Sequence, residues 1–483
     1  MASTIKNVGF YTIGNIVKAA ASFVLLPIYA NSLGAEQYGI LNLLQTFSAI
    51  LVVLMTLATE RSLYRLYYDY HTEEEKNVFL STIFWSISIT SSIIIVVTIF
   101  AGQYIVNYVG GVDLYRVLMP TIIYTFVGAM INYSQIIMQV EEKGSCFLAV
   151  SMMILVVYNI VSLLFLFLYS RTVESLVYGN LVANVVVLPY AYYNIRRKIK
   201  FVFSVRILMD TMRFSMPMFI AVVFAWVLNM TDRIFIANLA NYADAGIYSL
   251  ASKIVQFAII FIGALAQAYS PYFYRIANSY SYEDAQKLLR PVCNVYTGVI
   301  CFLFIVVTFL SKPILCILFD SSFLNAIYFV YFLAVSGIFS QQSSLLNLMV
   351  YQNKKVVAMS SVGIICGALS VFLNILLIPQ YGAIAAGFSN LVVGFMIYFL
   401  SHYLARKNYY IPYGYFFAYY SVLFILMGFL FDVSGVNLFV ALICKIICSL
   451  VLIYAAIKLK IIDKKDYVLA YNKVVIPFIN KVL

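Results

Sequence analysis

The stretch NMTDRIFIANLANYADAGIYSLASKIVQF, residues 229–257, places Asp232, Arg233 and Lys253 inside apolar segments of a 483-residue chain that is 64% hydrophobic and only 10% charged. A charge near the bilayer centre costs about 2.5–3.5 kcal/mol on insertion scales, so such residues turn toward protein partners or a wet cavity. Arg233 offers a bidentate fork, while Lys253 and a further in-span cation, Lys18, offer point charges; all three suit an oxyanion. Adjacent helical residues point about 100° apart, so Asp232 and Arg233 need not pair with each other. Asp232, with Asn229 one turn earlier, is expected to face Lys253 on the next helix while Arg233 faces a cavity. A structural ion pair of Asp232 with Lys253 that locks the intervening turn is the other reading. Lys18 has two readings as well, a cavity cation or a side chain that snorkels to the inner headgroups. Lys445 is assigned to lipid headgroups or packing.

Uncharged polar residues recur beside these charges. Tyr11, Asn15, Lys18 and Ser22 fall at steps of four, three and four, hence on one helical face. Similar stripes are Asn42, Gln45 and Thr46; Asn132, Gln135 and Gln139; Ser249, Ser252, Lys253 and Gln256; and Ser340, Gln341, Ser344 and Asn347. Such stripes either line a polar cavity or hydrogen-bond between packed helices, and both readings stay open here.

The elements that must hold these residues are membrane-spanning helices. Soluble domains carry about a quarter of their residues as charges, and this chain carries far fewer. Its apolar runs are continuous rather than alternating, which selects helices over a barrel. The breaks between them give fourteen expected spans, at 10–33, 39–60, 78–101, 115–140, 146–169, 176–195, 214–239, 246–271, 292–311, 324–350, 357–378, 383–405, 413–431 and 437–457. With the N-terminus inside, 24 of the 31 Lys and Arg residues fall on the cytoplasmic side, so both termini are expected there. The net charge of +12 then reflects topology and anionic inner-leaflet lipid, with no need of nucleic acid. The N-terminus lacks a signal-peptide pattern and no cleavage is expected.

The basic loop at 196–213 is the expected seam between an N-lobe (1–213) and a C-lobe (214–412), with 413–483 holding two further spans and a tail. LGAEQYGILNLLQTF and ANYADAGIYSLASKI, which follow the first span of each lobe, align Gly39-Ile40 with Gly246-Ile247, and each turn carries an acid just before its glycine, Glu36 or Asp244. Six spans separate the copies, so the repeats share one orientation about an axis along the membrane normal. In the tail, Tyr467, Tyr471, Val474, Phe478 and Val482 recur at helical spacing and are expected along the inner leaflet, interrupted by Pro477.

Catalytic chemistry has little to be built from. Seven cysteines form no CxxC pair and mostly lie within spans, and the two histidines, His71 and His402, are far apart. No phosphate-binding GxxxxGK[ST] loop occurs, so ATP hydrolysis is not expected. No cofactor and no metal are expected.

LGAEQYGILNL, DRIFIANLANYADAGIYSLASKI and LNILLIPQYGAIAAGFSNLVV together resemble the polysaccharide-repeat flippases of the multidrug/oligosaccharidyl-lipid/polysaccharide exporter superfamily, in span order across essentially the whole chain. Fourteen spans are also similar to the related peptidoglycan-precursor flippases. The resemblance implies an all-α fold of two six-helix lobes in pseudo-twofold arrangement plus two C-terminal helices. It implies a transporter, not an enzyme, in a bacterial cytoplasmic membrane. Its substrate would be an undecaprenyl-pyrophosphate-linked oligosaccharide destined for O-antigen, capsule or exopolysaccharide. The expected substrate contacts are then Lys18, Arg233, Lys253, Asn15, Asn42, Gln45 and Gln256, with Asp232 taking a coupling Na+ or H+. Expected partners are the lipid-linked oligosaccharide, membrane lipids and the polymerase and chain-length proteins of the same pathway, around a monomer. The alternatives are a multidrug or metabolite antiporter of the same superfamily and a membrane polysaccharide polymerase or ligase.

Overall fold

The computed structural model describes residues 2–450 apart from 109–111, 354, 415, 435–438 and 448–449. Thirteen α-helices occur among them: α1 (Ala2–Thr56), α2 (Thr59–Leu66), α3 (Glu73–Tyr108), α4 (Met119–Val140), α5 (Gly144–Leu168), α6 (Val173–Ile195), α7 (Val205–Leu239), α8 (Tyr242–Ser279), α9 (Tyr282–Leu318), α10 (Ala326–Gln352), α11 (Val356–Tyr381), α12 (Ile384–Lys407) and α13 (Phe416–Val433). Eleven of the described helices are long and apolar enough to cross a membrane, and α13 is a shorter apolar helix. The protein is therefore an all-α, multi-pass membrane protein.

Helix α1 is two helices joined at Gly34, whose φ of 72° and ψ of 170° break the helical path. That left-handed φ carries no steric penalty in glycine. Its two limbs are the expected spans one and two, and α3 to α13 follow the expected spans three to thirteen in order. Several helices overrun their apolar runs, among them α7, which starts at Val205 before the expected edge at 214, and α8, which runs to Ser279 past the expected edge at 271. Helix α3 starts at Glu73, five residues before the expected edge, because Glu73, Glu74 and Glu75 in its first turn complement the helix dipole. Helix α9 starts at Tyr282, where the Ser281 hydroxyl accepts a hydrogen bond from the Asp284 amide at 3.3 Å. Residues 439–447, within the expected span fourteen, are helical. The expected tail helix beyond Lys458 lies outside the described residues.

The chain forms two compact units, Met1–Gly246 and Ile247–Leu483. In the first, Phe79, Leu80, Ile83 and Ile87 of α3 pack with Met130, Ile131 and Ile137 of α4 and with Val187, Ala191 and Ile195 of α6. The four-residue steps put each set on one face. Tyr133, 1% exposed, donates its buried hydroxyl to the Leu80 carbonyl at 2.6 Å. In the second unit, Cys293, Tyr296, Ile300 and Phe304 form the buried face of α9. The Phe304 ring occupies the space a Cβ at Gly337 of α10 would fill, and α10 and α12 are tied by Ser336 donating to the Asn390 carbonyl at 2.8 Å. Small residues bring helices close where lipid gives little hydrophobic drive for their association.

Three of the segments expected on the cytoplasmic side meet in one ionic cluster. Lys198 of the 196–204 linker lies 2.6 Å from Glu73 and 3.0 Å from Glu141, and Lys143 lies 2.6 Å from Glu141. Burial of the Lys198 ammonium opposes its charge, but hydrogen bonds to Glu73 and Glu141 and the charges of those carboxylates outweigh this and raise its pKa above the ordinary lysine value. A raised folded-state pKa contributes stability that is complete below the unfolded value and is lost only as pH rises through the folded one. Lys198→Met is therefore expected to lower stability by about 1 kcal/mol in this partly exposed network. The deficit should stay constant between about pH 7 and 9 and shrink only as lysine itself titrates, near and above about pH 10.4. Thermal unfolding of both proteins across that range measures it. On the opposite side of the same unit, the Val173 amide donates to Gln37 at 3.2 Å, joining two segments expected outside.

Candidate functional site

The repeated glycines meet within the first unit. A Cβ at Gly39 would overlap the Tyr242 carbonyl oxygen and come within 3.0 Å of the Gly246 nitrogen. A Cβ at Gly246 would overlap the Ala35 oxygen and come within 2.9 Å of the Gly39 nitrogen. The contact is reciprocal, as a local twofold relation between the two copies requires. Beside it, the Trp226 indole of α7 donates to the Thr46 carbonyl of α1 at 3.1 Å. These contacts align the second limb of α1 with the half of α7 that carries Asp232 and Arg233.

On α7, Asp232 is buried, at 3% exposure, while Arg233 is half-buried. Arg233 Nη1 donates to the Asn229 carbonyl at 3.3 Å and lies 2.9 Å from the Met230 sulfur. Arg233 Nε is buried without a hydrogen-bond partner among the described residues. A buried guanidinium N–H left without an acceptor is costly and is the group an incoming oxyanion would satisfy. Asn229 is exposed and shares the side of Arg233, its neighbour at i+4, whereas Asp232 is turned inward. Asn229 lies one helical turn before both residues, three positions from Asp232 and four from Arg233, and differs from Asp232 in its exposure.

The other expected contacts sort into two sets. Lys18, half-buried, lies one turn before Ser22, whose hydroxyl donates to the Lys18 carbonyl at 2.8 Å. Gln45 and Asn132 in the first unit and Gln256 in the second are exposed, and Lys253 is half-buried. Asn42, by contrast, is 3% exposed and bonds the Tyr38 carbonyl at 2.7 Å, while Thr46 bonds the Asn42 carbonyl at 2.8 Å. Gln135 donates to the Ser151 hydroxyl of α5 at 2.8 Å, Gln139 accepts from Tyr64, and Ser344 lies 3.3 Å from the Tyr296 hydroxyl. The stripes of Asn42, of Asn132 and of Ser249 thus each hold both buried and exposed residues, whereas Ser340, Gln341, Ser344 and Asn347 of α10 are all half-buried. The side chain of Asn15 lies outside the described residues.

One charged site was missed by sequence reasoning. Of the two expectations for Lys445, packing holds and lipid headgroups do not: it is 1% exposed and lies 2.7 Å from Asp432. The same carboxylate oxygen accepts from Tyr331 at 2.6 Å, and Lys312 donates to the Asp432 backbone carbonyl at 2.9 Å. Asp432 ends an apolar helix thirteen residues before Lys445. A hairpin spacing of that kind is a signal for such a pair only once the turn between the helices is known.

The model of a family described as polysaccharide biosynthesis protein matches residues 4–277, more than half of the chain. The chain belongs to this family. Two curated relatives come from Haemophilus influenzae. A protein of the lsg locus is 24% identical over 275 residues, and an uncharacterized membrane protein is 21% identical over 285. Each alignment covers 56% of this chain and 65% of the relative, just under two thirds of its length. Among solved structures, the lipid II flippase MurJ in an inward closed conformation superposes with a TM-score of 0.72 at 17% identity, covering 94% of this chain and 99% of its own. An inward-facing multidrug transporter of the MATE family superposes with a TM-score of 0.59 at 14% identity, over 80% and 95% of the two chains. The fold of this family member is thus that of the MurJ and MATE transporters, while their substrates remain statements about those proteins.

Proposed function

We propose that the protein carries undecaprenyl-pyrophosphate-linked oligosaccharide units from the inner to the outer face of the cytoplasmic membrane by alternating access. The observation that carries this reading is the set of cationic and polar side chains left at the surface of otherwise apolar helices, above all Arg233 with its unsatisfied Nε. Lipid would penalise Gln45, Asn229 and Gln256 at such positions, whereas a wet cavity solvates them and admits sugars. Lys18 and Arg233 in the first unit and Lys253 in the second supply the positive charge an oxyanion headgroup requires, which favours an anionic lipid-linked glycan over a cationic drug. Membership of a polysaccharide biosynthesis family and the flippase fold support the same direction. Asp232, buried on α7, is the carboxylate assigned to a coupling Na+ or H+.

The test uses a strain that lacks this protein and retains its glycosyltransferases, scored with a membrane-impermeant glycan oxidant. Prenyl-linked units should be protected, become accessible on re-expression, and stay at least tenfold less accessible with Arg233→Ala or Lys253→Ala, the loss of about 1.4 kcal/mol or more of binding. Asp232→Asn should abolish dependence on pH or sodium in the same assay. Units that are accessible without the protein would place it after translocation and overturn the reading.

A further inference from the structure

The 196–204 linker is held against the inner end of α3 and is not a loose loop. The Lys200 amide donates to Ser81 Oγ at 2.8 Å, the Trp85 indole donates to the Lys200 carbonyl at 3.0 Å, and the Ser204 amide donates to Thr82 Oγ1 at 3.2 Å. This fixed backbone presents Phe201, 94% exposed, with its ring centroid 5.0 Å from that of Trp85. A phenylalanine so exposed on a backbone so well tied is a surface feature awaiting an apolar neighbour.

Its depth identifies that neighbour. Helix α3 has 36 residues, about 54 Å at 1.5 Å per residue, against a hydrocarbon core of about 30 Å. Shared between the two ends, the excess of about 12 Å sets Ser81 near the edge of the acyl region and Trp85 about 6 Å inside it. That is the level at which tryptophan and interfacial apolar side chains sit.

Cations flank Phe201 along the linker. Arg196, Arg197, Lys200 and Arg206 are exposed, and none has a carboxylate within 4.0 Å among the described residues, whereas Lys198 between them is paired with Glu73 and Glu141. The Arg196 guanidinium lies 3.7 Å from the Tyr193 ring centroid. Stacking fixes its plane and leaves its N–H edge for a phosphate.

We propose that this linker is a binding site for anionic phospholipid of the inner leaflet, with Phe201 and Trp85 against the acyl chains and Arg196, Arg197, Lys200 and Arg206 on the headgroup phosphate. Apolar side chains and unpaired cations on one tied segment match both halves of such a lipid. A soluble acidic ligand would leave Phe201 in water. The site is independent of which substrate the protein carries.

The chain has two tryptophans, Trp85 and Trp226, so Trp226→Phe leaves Trp85 as the sole indole reporter. In phosphatidylcholine bilayers containing this full-length protein, dibrominated phosphatidylglycerol should quench Trp85 with a relative binding constant about fivefold or more above that of dibrominated phosphatidylcholine. Replacing Arg196, Arg197, Lys200 and Arg206 with glutamine should bring the ratio to about one. Replacing the three arginines with lysine should keep most of it, separating charge from damage to the fold. Equal quenching by the two lipids in the native protein, or a ratio that survives the four glutamines, overturns the proposal. Loss of the preference on adding free pyrophosphate also overturns it, by making the site one for a soluble anion.

Discussion

Alanine at Gly39 or at Gly246 destabilises the protein by about 3 kcal/mol and abolishes the transport proposed for it, whereas alanine at Gly34 costs about 1–3 kcal/mol of backbone strain alone. The difference follows from what each new methyl group meets. At Gly39 and Gly246 the Cβ would overlap a backbone carbonyl oxygen of the facing segment, and neither Tyr242 O nor Ala35 O can rotate out of the way. The two segments must separate, and the Trp226 to Thr46 hydrogen bond beside them is strained with them. At Gly34 nothing lies within 4 Å of a Cβ, so the cost is only that of holding an L-residue at φ 72° and ψ 170°, a region essentially reserved for glycine.

Because the Gly39–Gly246 contact is reciprocal, the double substitution should be markedly sub-additive: once one methyl has parted the backbones, the second has less to displace. Thermal unfolding of the detergent-solubilised protein measures all four variants on one scale. Single variants at Gly39 and Gly246 that melt like the parent, or a double variant whose loss is the full sum, would remove the contact as a determinant of the fold.

This contact also shows how much the sequence could say. Aligning Gly39 with Gly246 identified a repeated turn, because small residues after a polar break are visible in one dimension. That the two turns touch each other is a tertiary fact without a one-dimensional signature. Span order and most span edges were legible for a related reason, the bilayer being a solvent that every span must satisfy by itself. The edges failed at Glu73, Val205 and Tyr282, where charged or capped first turns lengthen helices beyond their apolar runs, and at Ser279, where α8 continues past its apolar run. At the candidate site, residue types were legible and faces were not. Asn42 and Gln135 share stripes with Gln45 and Asn132, yet the first pair is absorbed by local and interhelical hydrogen bonds and the second is exposed. A stripe spans more than one neighbour, and only packing decides which of its members a neighbour takes.

Asp432 and Lys445 give the second large expected effect, and one with a reversed sign on double substitution. Both side chains are 1% exposed, and they are joined at 2.7 Å across two helices outside the expected twelve-helix plan. Removing one partner leaves the other charge buried without its counter-ion, so Lys445→Met or Asp432→Asn should each cost about 3–5 kcal/mol. The carboxylate is especially exposed to this loss. Its Oδ2 serves both Lys445 and Tyr331, while its Oδ1 is buried with no hydrogen-bond partner among the described residues. Replacing both residues with apolar side chains of similar size, Asp432→Leu with Lys445→Met, removes the desolvation cost together with the attraction and should recover most of the stability lost by either single change. Lys312 survives that exchange because it donates to the Asp432 backbone carbonyl and not to the carboxylate. Denaturation of the three variants in a common detergent tests this. Single variants within about 1 kcal/mol of the parent would mean that water reaches the pair and screens it. A double variant as unstable as the sum of the singles would mean instead that the two charges stabilise the fold in themselves and not only by cancelling each other's burial.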